Sequence, residues 1–334
     1  LGMRRPPERP ALRCVLFGLG LLFLVYAVLV RKNAALAAVP VFAMLVLALW
    51  PKPSRRTWLL AASGLAVALV VPVVAISAIA RPTHTSQLSQ VMLDDLLHVQ
   101  SVADLRTAKV SPDLRAHLVR AAEDCRRKGI VSNVYWFCYG KGAGGPYTAV
   151  AHTDEIRDLW LKEVPRHLPS YVEYRVQVFS RLLFATRYPY SGRIVDNNLG
   201  LQISHPRLEN TLRTYVKGAV EDLPMLFRGW LWLVVGAVLA IRPGRGQLAV
   251  PVRALGLSSV VYVLGYLPIL PVGIYRYVYW PAVAGSLALL LLLLGRGARS
   301  DSSSDESGSE PRTTHDDDAP PPAVAASDEP ALIG

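Results

Sequence analysis

Six long apolar runs enclose a single polar segment, and this arrangement leaves the chain very few folds to adopt. The runs are Cys14–Val30, Ala34–Trp50, Trp58–Ala80, Leu226–Ile241, Ala254–Val272 and Pro281–Leu294. Their lengths lie near the roughly 17–25 residues that an α-helix needs to cross a bilayer. Because they carry almost no charge on any face, we expect membrane helices rather than buried helices of a soluble protein. The sequence predicts an all-α polytopic membrane protein with about six transmembrane helices.

The positions of the runs divide the chain into four parts. Residues 1–80 form an N-terminal membrane block of three helices, and residues 225–296 form a C-terminal membrane block of three helices. Between them, residues 81–224 form one mostly helical domain. Residues 297–334 are rich in Ser, Asp, Pro and Ala, a composition typical of disorder, so we expect a disordered acidic tail.

The distribution of basic residues predicts the orientation in the membrane. With the N-terminus inside, the inner segments carry four, three, three and two Lys or Arg residues, twelve in all, and the short outer loops carry three. This bias predicts a multi-pass protein of the plasma membrane with both termini cytoplasmic and residues 81–224 extracytoplasmic. It also accounts for the net charge of +11 without nucleic acid as a partner, since the excess lies beside the apolar runs. The predicted partner is the lipid bilayer.

The polar segment contains several local signals of secondary structure. Apolar spacing predicts helices over Gln87–Asp104 and Asp154–Val164, the second capped by Thr153. A further helix is predicted over Asp113–Lys128, with Ser111 as its cap and Gly129 at its end. We also expect a short strand over Val131–Tyr139, a Gly-rich loop over Lys141–Pro146, and a helix that places Tyr171, Tyr174, Val178 and Leu182 at helical spacing.

Asp94 and Asp95 are the only adjacent pair of aspartates in the polar segment, and they are the catalytic candidates. They follow the third apolar run closely, where a general base or a ligand for a divalent cation could meet a lipid-linked substrate. Neighbouring helical residues point about 100° apart, which makes joint chelation of one ion difficult. The alternative is a solvated helix face or cap. No metal site is predicted from Cys or His spacing, and a divalent cation is the one candidate cofactor.

Arginine and tyrosine side chains supply the candidates for binding phosphate or lipid. Arg175 and Arg181 each offer the fork that binds phosphate, and Tyr171 lies one turn before Arg175. Arg276 lies among tyrosines before the last apolar run, where an arginine commonly anchors to lipid headgroups. For Arg175 and Arg181 the alternatives are ion pairs with Glu173 or Glu163, or contact with headgroups.

The three cysteines divide by location. Cys14 lies in the first apolar run, where we expect it to pack without reacting. Cys125 and Cys138 lie in the polar segment, and in an oxidising compartment they could form a disulfide. Whether they do so is left open by the sequence.

A short motif of the polar segment is formed by Trp160, Pro169, Tyr171, Arg175 and Phe179. It resembles the W…hPxxYxxxRxxxF pattern of predicted bacterial integral membrane proteins related to GT-C glycosyltransferases, which use polyprenyl-phosphate sugars. It departs from that pattern in one place, because only Ser170 separates Pro169 from Tyr171. Similar features are Val30–Ala34, Leu93–Leu96 and Arg276–Trp280, so the resemblance covers about residues 14–295.

The resemblance implies a glycosyltransferase-like protein that moves a sugar from a polyprenyl phosphate to an envelope glycan or lipid. Such enzymes carry a catalytic acid in the first outer loop, and here that loop is Arg31–Asn33, without an acid. The chain begins with Leu1, and we expect it to be the C-terminal part of a longer protein rather than a chain with an alternative start codon. The alternative function is a non-catalytic envelope protein whose outer domain binds a partner. A transporter is disfavoured, because the apolar runs lack charge at their centres.

Overall fold

The computed structural model describes residues 10–31, 34–80, 87–139, 152–185, 204–246 and 248–306. Within these ranges the chain is helical and contains no β-strand, which confirms the all-α class. The predicted Gly-rich loop over Lys141–Pro146 lies outside them. Residues 1–295 form one compact unit and residues 296–334 a second.

The first three helices contain the first three apolar runs: α1 (Pro10–Val30), α2 (Ala34–Leu49) and α3 (Arg55–Ala80). Leu24 of α1 packs in a small buried cluster with Phe42 and Val46 of α2, and Leu65 of α3 lies against it. Most apolar side chains of α3 are exposed, as lipid contact requires.

The described residues of the polar segment form six α-helices: α4 (Gln87–Val99), α5 (Val102–Arg106), α6 (Pro112–Lys128), α7 (Thr153–Glu163), α8 (Leu168–Phe184) and α9 (Pro206–Asp222). The predicted helix over Gln87–Asp104 is interrupted, because Ser101 accepts from the Asp104 N–H and caps a new helix. Ser111 and Gly129 do bound α6, with Gly129 at a φ of 62° that favours glycine. His152, not Thr153, precedes the first turn of α7.

The predicted strand over Val131–Tyr139 is wrong, since Tyr135–Tyr139 forms a π-helical turn. This stretch has the β-branched and aromatic composition of a strand. Val134, Cys138 and Tyr139 are nevertheless buried in the same core as α4 and α6. Packing into that core outweighs the local preference for extended backbone.

The last three helices are α10 (Gly229–Ile241), α11 (Ala249–Gly265) and α12 (Tyr279–Glu306). The helix α11 begins and ends earlier than the apolar run Ala254–Val272, so residues 266–278 form turns. The helix α12 extends into the segment expected to be a tail, as far as Glu306.

Close contact between α10 and α11 depends on small residues. A Cβ at Gly256 would lie 2.7 Å from both the Ala240 amide nitrogen and the Gly236 carbonyl oxygen. Ser259 donates from its hydroxyl to the Trp232 carbonyl oxygen at 3.2 Å. Small residues that bring two backbones together, with a hydroxyl bond between the helices, are typical of packing within membranes.

Among the helices that the structure describes, two are long and apolar enough to cross a bilayer, over Arg55–Ile79 and Tyr279–Arg296. Four shorter apolar helices accompany them: Cys14–Val30, Ala34–Leu49, Gly229–Ile241 and Ala249–Gly265. These features indicate association with a membrane.

A shared core joins the polar segment to the flanking helices. Tyr174, Val178 and Leu182 of α8 pack in one buried cluster with residues of α2, α10, α11 and the turns that follow α11. At the end of α8 the backbones nearly touch, because a Cβ at Gly229 would lie 2.8 Å from the Leu182 carbonyl oxygen and one at Gly273 would lie 2.9 Å from the Leu182 nitrogen. The helix α8 is therefore the element on which the two parts meet.

Candidate functional site

The two neighbouring acids of α4 lie at the centre of a buried polar group. Asp94 and Asp95 are 2% and 1% exposed, and Arg175 of α8 is 3% exposed. The alternative of a solvated helix face is therefore wrong for both acids. Together with Trp160 of α7, these three residues are called the charge cluster below.

Asp95 connects three helices through its carboxylate. Its Oδ1 lies 2.6 Å from Nη2 of Arg175, and its Oδ2 accepts a hydrogen bond of 2.8 Å from Nε1 of Trp160. Arg175 therefore pairs with Asp95 and not with Glu163 or Glu173. Because both oxygens of Asp95 are engaged, the carboxylate holds α4, α7 and α8 together.

Asp94 binds backbone rather than side chains. Its Oδ2 accepts from the Asn133 N–H at 3.2 Å and its Oδ1 from the Val134 N–H at 3.0 Å. Asn133 has a φ of 60°, a left-handed conformation that asparagine tolerates better than most residues. Successive N–H groups on such a turn form a concave site for an anion, and here the carboxylate of Asp94 fills it.

Arg175 extends the cluster to the turns that follow α11. Its Nη1 donates to the Leu270 carbonyl oxygen at 3.1 Å, and its Nη2 donates to the Val91 carbonyl oxygen at 3.4 Å. The guanidinium carbon lies 5.6 Å from the ring centre of Tyr171 and 5.5 Å from that of Tyr174, within the range of cation–π attraction. One arginine thus links α4, α8 and the C-terminal block.

Burial dominates the protonation of the cluster. It raises the pKa of Asp94 to about 7, although the Val134 N–H and Arg175 both favour the charged form. Burial also raises the pKa of Asp95 against the opposing effect of Arg175. Burial alone would lower the pKa of Arg175, but Asp95 outweighs it and the pKa is raised. Burial therefore favours the protonated form of both acids, and the neighbouring Arg175 opposes it.

His98 adjoins the cluster one turn after Asp94. Its Nδ1 donates to the Asp94 carbonyl oxygen at 2.7 Å, and its ring stacks on Tyr174 with centres 4.1 Å apart. Burial lowers the pKa of His98, so the ring stays neutral over a wider range of pH.

Comparison with known proteins gives no relative to extend this description. No protein-family model, curated protein or solved structure matches the chain. The site must therefore be interpreted from its own geometry.

Of the predicted binding residues, Arg175 and Tyr171 belong to this region and Arg181 and Arg276 do not. Arg181 follows Arg175 on α8 by six residues, next to Gly273. Arg276 is exposed, lies over the ring of Tyr277 at 4.9 Å and donates to its hydroxyl at 2.8 Å. No single phosphate site brings these arginines together in the described part of the chain.

The structure joins Cys125 and Cys138 in a disulfide, with Cα atoms 5.6 Å apart. The bridge fixes the end of α6 to the π-helical turn just after Asn133 and Val134, so it steadies the backbone that binds Asp94. Cys14 is exposed and unpaired.

In the ranges that the structure describes, no three His, Cys, Asp or Glu side chains are arranged to hold a metal ion. The sequence does not predict that Trp160 donates to Asp95 or that backbone N–H groups bind Asp94. A signal existed for the first contact, since a buried indole N–H needs an acceptor. For the binding of Asp94 by backbone N–H groups, the only signal in the sequence is Asn133, an asparagine within an otherwise β-branched and apolar stretch.

Proposed function

We propose that this protein is a non-catalytic membrane protein of the cell envelope whose helical outer domain binds a partner. The domain spans α4 to α9, and the charge cluster fixes it to the membrane block. This is the second of the two functions expected from the sequence, and the geometry of the acid pair favours it over the first.

The observation that carries the proposal is that every carboxylate oxygen of the two candidate catalytic acids faces a donor or cation of the chain, with Asp95 Oδ1 in an ion pair and the other three in hydrogen bonds. A general base must reach the proton it removes, within about 2.6–3.2 Å or through one water. All four carboxylate oxygens of Asp94 and Asp95 are within hydrogen-bond or ion-pair distance of groups of the chain itself, and both residues are buried. Such carboxylates serve to join elements and are poorly placed to activate an acceptor or hold a divalent cation.

A glycosyltransferase-like activity is the second candidate, because the residues that carry the resemblance converge in space. Trp160 and Arg175 bind Asp95, Tyr171 flanks Arg175, and Phe179 shares a core with Tyr277. This convergence supports a common fold more directly than a common reaction. A transferase acting on a polyprenyl-phosphate-linked sugar would need a base other than Asp94 or Asp95.

The proposed arrangement in the membrane is multi-pass, in the plasma membrane, with both termini cytoplasmic. The twelve inner basic residues support it, as do the two long and four shorter apolar helices. A 13-residue helix such as α10 is about 20 Å long, so this crossing needs its flanking turns or a locally thin bilayer. A cysteine introduced at Arg245 in otherwise cysteine-free protein should react with impermeant maleimide from the inner side; labelling from outside contradicts the arrangement.

An exposed apolar stripe on α8 is the surface that we assign to the partner. Leu168, Val172 and Val176 are 55%, 49% and 51% exposed and recur every four residues. The opposite face of α8 is buried in the core with α10 and α11. A partner helix with an apolar face fits such a stripe, because helices dock through residues at this spacing.

The test separates binding from catalysis by removing both charges at once. In cells that lack the gene, the double variant Asp95→Leu with Arg175→Met should fold and restore the wild-type phenotype. Val172→Glu should fold and fail to restore it, whereas its neighbour Glu173→Lys should restore it. Protease resistance of the membrane-inserted protein reports folding. A double variant that folds but does not restore the wild-type phenotype would favour catalysis. Full restoration of the wild-type phenotype by Val172→Glu would exclude the assigned surface.

A further inference from the structure

The helix α9 combines strong amphipathic character with an absence of burial. Leu208, Leu212, Tyr215 and Ala219 follow the i, i+4, i+7, i+11 spacing of one helical face. Leu208, Leu212 and Tyr215 are 57%, 49% and 74% exposed, and no residue of the helix is buried. An isolated helix in water gains little from such a face, so the apolar stripe calls for an apolar environment outside the chain.

The opposite face of α9 is charged and internally balanced. Nη2 of Arg213 lies 2.7 Å from Glu209 Oε1, and Nζ of Lys217 lies 3.8 Å from Glu221 Oε1. Arg207 and Asp222 complete a set of three basic and three acidic residues on the helix. The charges of the helix therefore balance, and α9 has no net charge with which to select a charged surface.

The end of α9 lies next to elements that approach the bilayer. After Asp222 the chain makes one 3₁₀ turn, Pro224–Phe227, and α10 begins at Gly229. Leu223, Met225 and Leu226 on this link are 54%, 49% and 41% exposed.

A ring contact fixes the level of this link along the helices. The ring of Phe227 lies 4.9 Å from that of Tyr275, measured between centres. Tyr275 precedes by four residues the start of the long apolar stretch Tyr279–Arg296. The C-terminal end of α9 is thus at the level where α12 starts as a candidate membrane span.

From these observations we propose that α9 lies in the surface of the bilayer, with Leu208, Leu212 and Tyr215 inserted at the boundary of headgroups and acyl chains. The partner of this surface is the lipid itself. A helix of 17 residues is about 25 Å long, and an amphipathic helix of this kind rests in the interface plane. The inference rests on the proposed membrane location and adds a contact between the outer domain and the lipid.

The balanced charges of α9 define which lipids should bind. Apolar insertion drives the contact and no net charge assists it, so zwitterionic and anionic bilayers should serve equally well. This expectation distinguishes α9 from a basic helix that recognises anionic headgroups.

Site-specific fluorescence on the full chain tests the proposal. The environment-sensitive dye NBD is attached at Leu212→Cys in a Cys14→Ala background, and the protein is placed in nanodiscs of phosphatidylcholine, with or without phosphatidylglycerol. We expect a blue shift and loss of fluorescence when the lipids carry a doxyl quencher near the headgroup. Asn210→Cys, on the charged face, should show neither. Tyr215→Cys with Thr214→Cys as its control repeats the comparison if the first pair does not fold.

A third probe position distinguishes the two proposals. Dye at Val70→Cys on α3, which is 57% exposed, should be quenched by doxyl groups deep in the bilayer. If Val70 is quenched and Leu212 is not, the inference about α9 is overturned and the membrane location stands. If neither is quenched, both fall. A blue shift at Leu212 without lipid quenching, together with cross-linking between Leu212→Cys chains, would assign the stripe to a second copy and overturn the lipid contact.

Discussion

Replacing Asp95 by asparagine should destabilise the protein severely, because it leaves the guanidinium of Arg175 buried without a counter-charge. Arg175 is 3% exposed, so water screens the lost interaction very little. Removing one member of a buried ion pair typically costs about 3–5 kcal/mol. For a domain of 150–250 residues, each kcal/mol shifts the melting temperature by about 2–4 °C, which gives a fall of roughly 6–20 °C.

The measurement is the fraction of monodisperse protein that survives heating in detergent, followed by size-exclusion chromatography. Asp154→Asn is the matched control, since it breaks the exposed pair with Arg157 at 3.1 Å and should change the profile little. The double variant Asp95→Leu with Arg175→Met should recover much of the loss, because it leaves no charge buried. The reasoning is refuted if Asp95→Asn melts with the control, or if the double variant is no more stable than the single one.

Three further predictions concern pH, the disulfide and helix packing. Because folding raises the pKa of Asp94 from 3.8 to about 7, the folded state holds the extra proton in this window and stability should fall as the pH rises through it. The raised pKa of Asp95 acts in the same sense, and the lowered pKa of His98 acts in the opposite sense below its ordinary value of 6.5. Asp94→Asn, compared with wild type by melting temperature against pH, should therefore reduce the first trend and leave the effect of His98 unchanged. Cys125→Ser should cost about 3 kcal/mol, and denatured wild type should add one polyethylene-glycol maleimide before reduction and three after; three before reduction would contradict the bridge. Gly256→Ala should lower the melting temperature, because overpacking costs about 1–3 kcal/mol of folding free energy. Gly64→Ala should leave the melting temperature unchanged, since no atom lies within 4 Å of the new Cβ.

The sequence predicts those parts of the fold that depend on short-range physics. The ends of α6 follow from Ser111 and Gly129, and the periodicity of Tyr174, Val178 and Leu182 gives both α8 and its buried face. The π-helical turn at Tyr135–Tyr139 was not predictable in this way, because its conformation depends on packing against α4 and α6.

The candidate site was predictable as a set of residues but not as an arrangement. Asp94, Asp95, Tyr171 and Arg175 were each selected for their chemistry, and the structure does bring them together. Asp95 and Arg175 are 80 positions apart, however, and no helical spacing relates them. Burial changes the role expected of the two acids. Exposed to water they would be candidates for a general base, whereas in the core they hold helices together.

The contacts of Arg175 and of the helices around it also set an order for biosynthesis. Arg175 donates to Leu270, which the ribosome adds 95 residues later, and Ser258 donates to Ala37, which left it 221 residues earlier. In the proposed arrangement, the polar segment passes through the membrane before one acceptor of its central arginine has been synthesised. Until α11 and the turns after it are synthesised, Arg175 lacks one of its acceptors. The helix α2 also lacks its contact with α11. Chains halted before residue 270 should be the substrates of the quality-control proteases that survey the membrane.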